Sequence, residues 1–217
     1  MRNIKKMGCF YNMRKMKNRR LKQTIVMTWL LALFFIIGIL FWYNALVYSF
    51  PTPIPDNYKP VPLGQVINIH LKGGNNSKPL LLHFFNPDCP CSRFNISNFK
   101  RLHALYGSKL TFVIVVLSPK PYTIKDIQKK FNLDIPVFFD QSIATSCGVY
   151  STPQVAILDS DYKLYYRGNY NRSRYCTDEK TSFVRIAIEG LLSRKFHLKF
   201  NPLALRAYGC QLPDCTK

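Results

Sequence analysis

The stretch Phe84-Phe85-Asn86-Pro87-Asp88-Cys89-Pro90-Cys91-Ser92 carries the reading of the fold. It closes an apolar run, Leu80–Phe85, that reads as a strand, and it opens a segment, Ser92–Tyr106, with helical periodicity. Two cysteines thus flank a proline at a strand-to-helix junction, a place where packing alone gives little reason for thiols. Further along, Leu110–Leu117 is a continuous β-branched run typical of a buried central strand, and Thr123–Phe131 is a helix with Thr123 as its cap. Pro136–Phe139 reads as a short strand and Ser142–Cys147 as a helical turn. Gln154–Leu158 and Lys163–Arg167 are strands joined by the hairpin-type turn Asp159-Ser160-Asp161-Tyr162, and Glu179–Leu192 is an amphipathic helix. With a strand at Val66–Leu71 in front, the order β-β-α-β-α-β-β-α describes an α/β domain with parallel crossovers and a terminal antiparallel hairpin.

A second motif, Gly148-Val149-Tyr150-Ser151-Thr152-Pro153, precedes the Gln154–Leu158 strand. Taken with the cysteine junction, it resembles the thioredoxin superfamily, and within it the membrane-anchored, periplasm-facing TlpA/redoxin-like proteins of bacteria. The resemblance covers about residues 64–193 and implies a thioredoxin-like fold, a central mixed sheet flanked by helices, behind an N-terminal transmembrane helix. It implies that Cys89 is the nucleophilic cysteine, with Pro90 and Cys91 as the intervening positions and Ser92 where the second cysteine normally stands. The usual C-x-x-C has become C-x-C-S, so resolution of Cys89 falls to Cys91 or to a distant cysteine, Cys147 or Cys176. Pro153 after Thr152 takes the place of the family's cis-proline, whose preceding backbone pairs with an extended substrate. His83 stands where such proteins often carry a buried proton-transferring acid, and an ordinary imidazole titrates near pH ~6.5, which suits that task. A core histidine without a catalytic role is the alternative. Ala207-Tyr208-Gly209-Cys210 is similar to a C-terminal element of some redoxin-like proteins.

Elementary chemistry gives the same site independent support. A cysteine in the first turn of a helix lies beside unpaired N–H groups and the positive end of the helix dipole, which favour thiolate over thiol. Arg93 can add positive charge or simply be solvated. A disulfide between Cys89 and Cys91 would close a small, strained ring, better suited to an oxidant or isomerase than to a strong reductant. Of the seven cysteines, Cys9 precedes the apolar run described next, leaving six that allow fifteen pairings. Cys210 and Cys215, in GCQLPDC, are close enough to bridge each other, or one of them can pair with Cys176.

The 217-residue chain has a net charge of +20, concentrated at its start. Nine Lys/Arg precede residue 23 and the first acid is Asp56, so the remainder carries only about +11. Thr24–Tyr43 is uncharged and long enough to cross ~30 Å of hydrocarbon. The run is longer than a cleavable signal usually provides and lacks a small-x-small site after it, which favours an uncleaved anchor. Basic residues on its N-terminal side place residues 1–23 in the cytoplasm and the chain beyond about residue 50 outside it. Topology explains the basic segment without a nucleic-acid partner. The expected organisation is a basic segment 1–23, a transmembrane helix 24–46, a stalk 47–63 with five prolines from Pro51 to Pro62, the thioredoxin-like domain 64–193 and a Cys-containing tail 194–217.

These readings converge on a thiol–disulfide oxidoreductase of the bacterial inner membrane, N-terminus cytoplasmic and domain periplasmic. Its expected partners are exported cysteine-containing proteins or a membrane redox partner, with no cofactor. A peroxiredoxin needs P-x-x-x-[ST]-x-x-C, whereas Asn86 and Leu82 stand three and seven residues before Cys89. A Sco-like copper-handling protein is one alternative, because neighbouring thiolates bind soft Cu(I). That group uses C-x-x-x-C and a distant histidine, and the late histidine here, His197, lies outside the expected core. A non-catalytic interaction module on the same fold is the other alternative.

Overall fold

The computed structural model describes residues 2–46, 50–69, 78–172, 181–195 and 198–212, with side chains described from residue 19 onward in the first segment and up to residue 44. The chain divides into two units, Met1–Val47 and Tyr48–Lys217. The first is helix α1, Arg2–Phe41, continued by one π-helical turn, Trp42–Leu46. Its stretch Arg19–Asn44 is 26 residues long and contains an 18-residue window with a mean hydropathy of 2.6, long and apolar enough to cross a membrane.

The second unit is built on a five-stranded sheet. Its strands are β1 (Leu80–Phe85), β2 (Thr111–Val116), β3 (Val137–Phe138), β5 (Gln154–Leu158) and β6 (Leu164–Gly168), in the order β3-β2-β1-β5-β6. A separate two-stranded ladder joins β4 (Ser151–Thr152) to β7 (Cys210–Gln211). β1, β2 and β3 are mutually parallel, β5 runs antiparallel to β1, and β6 runs antiparallel to β5. Every residue of β1 is buried because both faces of the sheet are covered. Side chains alternate along a strand, so Leu81 and Phe85 enter one apolar layer and Leu80, Leu82 and Phe84 the other. The first layer takes Phe99, Leu102 and Tyr106 of α3 (Ile96–Tyr106), Ile127 and Phe131 of α4 (Ile124–Phe131) and the buried face of α6 (Phe183–Leu192). The second takes Ile143 and Ala144 of α5 (Gln141–Ser146). This is the thioredoxin-like fold, and the expected fold class is the observed one.

Local rules account for most boundaries. Thr123 and Asp126 form a reciprocal capping box at the start of α4, and Asn132 ends that helix in the left-handed conformation at φ 52°. Ser182 caps α6 by accepting from the Arg185 amide. The helix expected at Ser92–Tyr106 is instead two, α2 (Pro90–Phe94) and α3, separated at Asn95. Asn95 donates its side-chain amide to the Cys91 carbonyl and its backbone N–H to Ser92, an asparagine competing with the helical ladder. The helix expected from Glu179 begins, among the described residues, at Phe183. The expected first strand shortens to a bridge between Val66 and Lys163, with residues 70 and 71 outside the described residues.

The proline-rich segment is extended, as its spacing implies, but it is laid along the domain. Thr52 donates from its backbone to Ala207 at 2.9 Å, Tyr58 Oη donates to the Gly148 carbonyl at 3.0 Å, and Arg167 donates to the Val61 carbonyl at 2.9 Å.

Candidate active site

The site forms where β1 ends. Phe85 is followed by a turn in which Asn86 Oδ1 accepts from the Asp88 amide at 2.9 Å and the Asn86 carbonyl accepts from Cys89 at 3.2 Å. Cys89 is the N-cap of α2 and Pro90 its first residue, a position where a missing N–H costs nothing. Ser92 is fully buried, and its hydroxyl oxygen accepts from the Asn86 amide at 3.3 Å. The residue in the second-cysteine position therefore ties the turn to the helix.

Cys89 is disulfide-bonded to Cys210, 121 residues away. Cys91 is 1% exposed, and the three sulfurs of Cys89, Cys91 and Cys210 lie within 4.8 Å of one another. The expectation that Cys210 pairs with Cys215 or Cys176 is thereby corrected: a backbone ladder carries Cys210 to Cys89. Cys176 and Cys215 lie outside the described residues. Cys91, the local candidate for resolution, stands beside the bond and is not part of it. Cys147 belongs to a different environment, packed in the layer with Leu82 and Phe84, where burial pushes its thiol up to about 12 against the opposing charge of Arg167.

The route of Cys210 to the site can be followed residue by residue. At the end of β6, Asn169 donates from its side chain to the carbonyls of Leu203 and Arg206, and its backbone donates to Ala204. This fixes α7 (Pro202–Leu205), whose start is capped by Asn201. The chain then runs between the strap and β4. On one side Thr52 binds Ala207 and Thr52 Oγ1 donates to the Gly209 carbonyl at 3.1 Å; on the other, β7 pairs antiparallel with β4, Thr152 opposite Cys210 and Ser151 opposite Gln211. Gly209, at φ +130°, lies so close to the Thr152 carbonyl that a Cβ there would collide with it.

Thr152 and Pro153 are joined by a cis peptide bond and Thr152 is fully buried. Ser151 Oγ, Thr152 Oγ1 and Asn86 Nδ2 are buried without hydrogen-bond partners, an unusual concentration of unsatisfied groups around one junction. Asp88, next to Cys89, accepts from Lys120 at 3.1 Å, Tyr122 at 2.9 Å and Ser118 at 3.1 Å. Partial burial raises its carboxyl, and these donors together outweigh that and hold it below the ordinary carboxylate value.

His83 lies one layer beneath, on the α3 face of β1. Its ring stacks on Phe99 at 4.8 Å, meets Phe85, Phe131 and Tyr170, and its Nδ1 is 2.7 Å from Tyr170 Oη. Complete burial lowers its pKa to about 3, against a small raising effect of the Gln154 backbone, and Nε2 has no good hydrogen bond. The expected titration near neutrality is therefore corrected: desolvation keeps this imidazole uncharged.

The chain belongs to the DUF6436 family. That family, described as "Domain of unknown function (DUF6436)", matches residues 65–212, from just after the strap through β7. The DUF6436 domain is similar to the crystal structure of a hypothetical protein from Sinorhizobium meliloti, with 19% identity and a TM-score of 0.57, covering 72% of this chain and 97% of that one. It is also similar to an uncharacterized conserved protein from Geobacillus kaustophilus, with 20% identity and a TM-score of 0.54, covering 66% and 89%. The thioredoxin domain of a thiol-disulfide oxidoreductase from Bacteroides vulgatus matches at 16% identity and a TM-score of 0.41, covering 56% and 98%. These likenesses concern the fold. No curated protein matches the sequence.

The sequence singled out Cys89, Cys91, Thr152, Pro153 and His83; the structure brings the first four to one junction and sets His83 in the aromatic core. In the sequence Cys210 reads only as a structural thiol. A sequence signal for it exists, since Gly209-Cys210 is a glycine–cysteine step beside the strap and belongs to the family's matched span, but only the β4–β7 pairing gives it meaning.

Proposed function

We propose that this protein is a membrane-anchored thiol–disulfide oxidoreductase that exchanges disulfides with cysteines of exported proteins through Cys89. The observation that carries the reading is the Cys89–Cys210 disulfide, set at the carboxyl end of β1 in a thioredoxin-like domain. The N-cap position favours Cys89 as the attacking and leaving sulfur, because the amino end of a helix carries the positive end of its dipole. A disulfide formed merely to staple two elements would not need a third cysteine sulfur within 4.8 Å. The apolar Arg19–Asn44 stretch would anchor the chain, with its basic N-terminal side in the cytoplasm and the domain in the periplasm.

The test uses the full chain in detergent. Reduction by a dithiol should expose two exchangeable thiols, and the oxidised chain should pass its disulfide to a reduced dithiol peptide in a reaction lost in Cys89→Ser. Absence of transfer from the oxidised wild type to any dithiol peptide would refute the reading.

A further inference from the structure

We propose that Cys210 is the resolving thiol of Cys89, and that its strand β7 occupies the edge of β4 that an incoming cysteine peptide must take, so exchange at Cys89 requires residues 207–212 to undock. The inference rests on the exchange reading above and names its missing component.

Three observations lead to it. Cys89 is fully buried in the oxidised protein, so a partner thiolate cannot reach its sulfur while the tail is in place. The tail holds that sulfur with a covalent bond and the neighbouring β4 edge with a backbone ladder, Thr152 opposite Cys210, and Leu212 donating to the Tyr150 carbonyl at 3.3 Å. An extended cysteine-containing peptide would need the same two interactions, a disulfide to Cys89 and strand addition to an available edge. The tail is thus an occupant in cis of the position such a peptide would fill. The attachment is also short and local: two residue pairs on β4, with Thr52 of the strap on the other side. So small a ladder opens at much lower cost than the five-stranded sheet.

The reaction balances without any further reagent. A partner thiolate attacks the Cys89 sulfur, the Cys89–Cys210 bond breaks, and Cys210 departs as a thiolate that takes a proton from water. A second partner thiolate then attacks the partner sulfur of the mixed disulfide, Cys89 leaves as thiolate, and the partner dithiol has become a disulfide while Cys89 and Cys210 have become the reduced pair. In reverse, Cys89 opens a partner disulfide and the Cys210 thiolate, brought back by β7, attacks Cys89 and releases the partner as a dithiol.

The experiment takes the reduced full chain in detergent and a single-cysteine peptide activated as its thionitrobenzoate disulfide. Cys89 should release thionitrobenzoate and accept the peptide. Wild type and Cys91→Ser should then free the peptide as the Cys89–Cys210 bond closes, whereas Cys210→Ser should retain it. Hydrogen exchange at residues 207–212 should be at least about tenfold faster in the trapped adduct than in the oxidised wild type, the mark of a locally opened segment. Gly209→Ala, whose Cβ would collide with the Thr152 carbonyl, supplies a variant that keeps every thiol, and its oxidised form should be attacked faster than oxidised wild type by the same peptide given as the free thiol, which joins Cys89 as Cys210 leaves as thiolate. Trapping by Cys91→Ser with normal release by Cys210→Ser would overturn the assignment of Cys210 alone, and unchanged protection of 207–212 in the adduct would overturn the displacement. Failure of any variant to form an adduct at Cys89 would overturn the exchange reading itself.

Discussion

Cys89 and Cys147 are both fully buried, and each sits at the end of a short helix, yet they live in opposite environments. Cys89 is the N-cap of α2, beside two other sulfurs, while Cys147 is the C-cap of α5, among the side chains of the second apolar layer. The N-terminal end offers N–H groups to a thiolate; the C-terminal end offers carbonyls, and burial raises Cys147 to about 12. Burial therefore does not separate the proposed nucleophile, Cys89, from Cys147. The direction of the neighbouring helix and the delivery of a second sulfur do.

The largest expected effect is on exchange. Cys89→Ser should reduce disulfide transfer to a dithiol peptide by ~10³-fold or more, because the reacting sulfur is gone. Cys147→Ser should keep the rate within about twofold while costing ~1–2 kcal/mol, since a hydroxyl replaces a thiol among apolar groups. Equal losses in the two variants would break the contrast.

Next is the covalent link itself. The Cys89–Cys210 bond closes a loop with a sequence separation of 121 residues, and constraining a loop of that size stabilises by ~4–5 kcal/mol in the chain-entropy account. Thermal melts of wild type with and without dithiol should therefore differ by several degrees, and Cys210→Ser should melt at the reduced wild-type temperature in both conditions. A dithiol-dependent shift that persists in Cys210→Ser would assign the stabilisation elsewhere.

The third effect concerns His83, buried like Cys147 but titratable in an accessible range. Its folded pKa of about 3 lies below the ordinary 6.5, so the unfolded state binds its proton first as pH falls. The stability that comes from a neutral His83 is thus fully present above pH 6.5 and is lost progressively toward pH 3. Between pH ~6.5 and ~4.5 the loss should be about 2–3 kcal/mol in urea titrations. His83→Phe should flatten that part of the profile; an unchanged slope would place the titrating group elsewhere.

The smallest effect is at the rim of the site. Lys120→Met removes an exposed partner of Asp88, so the Asp88 carboxyl should titrate at higher pH by NMR while still held low by Tyr122 and Ser118. Exposed pairs of this kind contribute little to stability. A large change in melting temperature would mean that the Asp88 cluster supports the Cys89 turn more than its exposure indicates.

How much of this was legible depends on the range of the interaction. Leu80–Phe85 and Leu110–Leu117 are apolar without alternation because both faces of each strand are covered, and that pattern survives any detail of packing. Thr123 and Asp126 sit three residues apart, so their capping box could be anticipated from spacing. The break at Asn95 was missed because a side-chain amide reaching the Cys91 carbonyl leaves the helical periodicity intact on both sides. His83 was recognised as buried, but its charge state is set by Phe85, Phe99, Phe131 and Tyr170, which come from four separate elements or loops.

The sequence by itself determined the α/β order, the apolar N-terminal helix and the junction that presents Cys89, because hydrophobic periodicity, capping and charge act over a few neighbouring residues. Only the tertiary structure decided which sulfur meets Cys89. Cys91 is two residues away along the chain and Cys210 is 121, yet the strap at Thr52, the Asn169 clamp on α7 and the β4–β7 ladder bring the distant one into bonding range. The β4–β7 ladder is made of backbone hydrogen bonds that any residue but proline can make, and the Thr52 and Asn169 side chains bind backbone carbonyls, which every residue carries, so neither kind of contact marks its distant partner in the sequence.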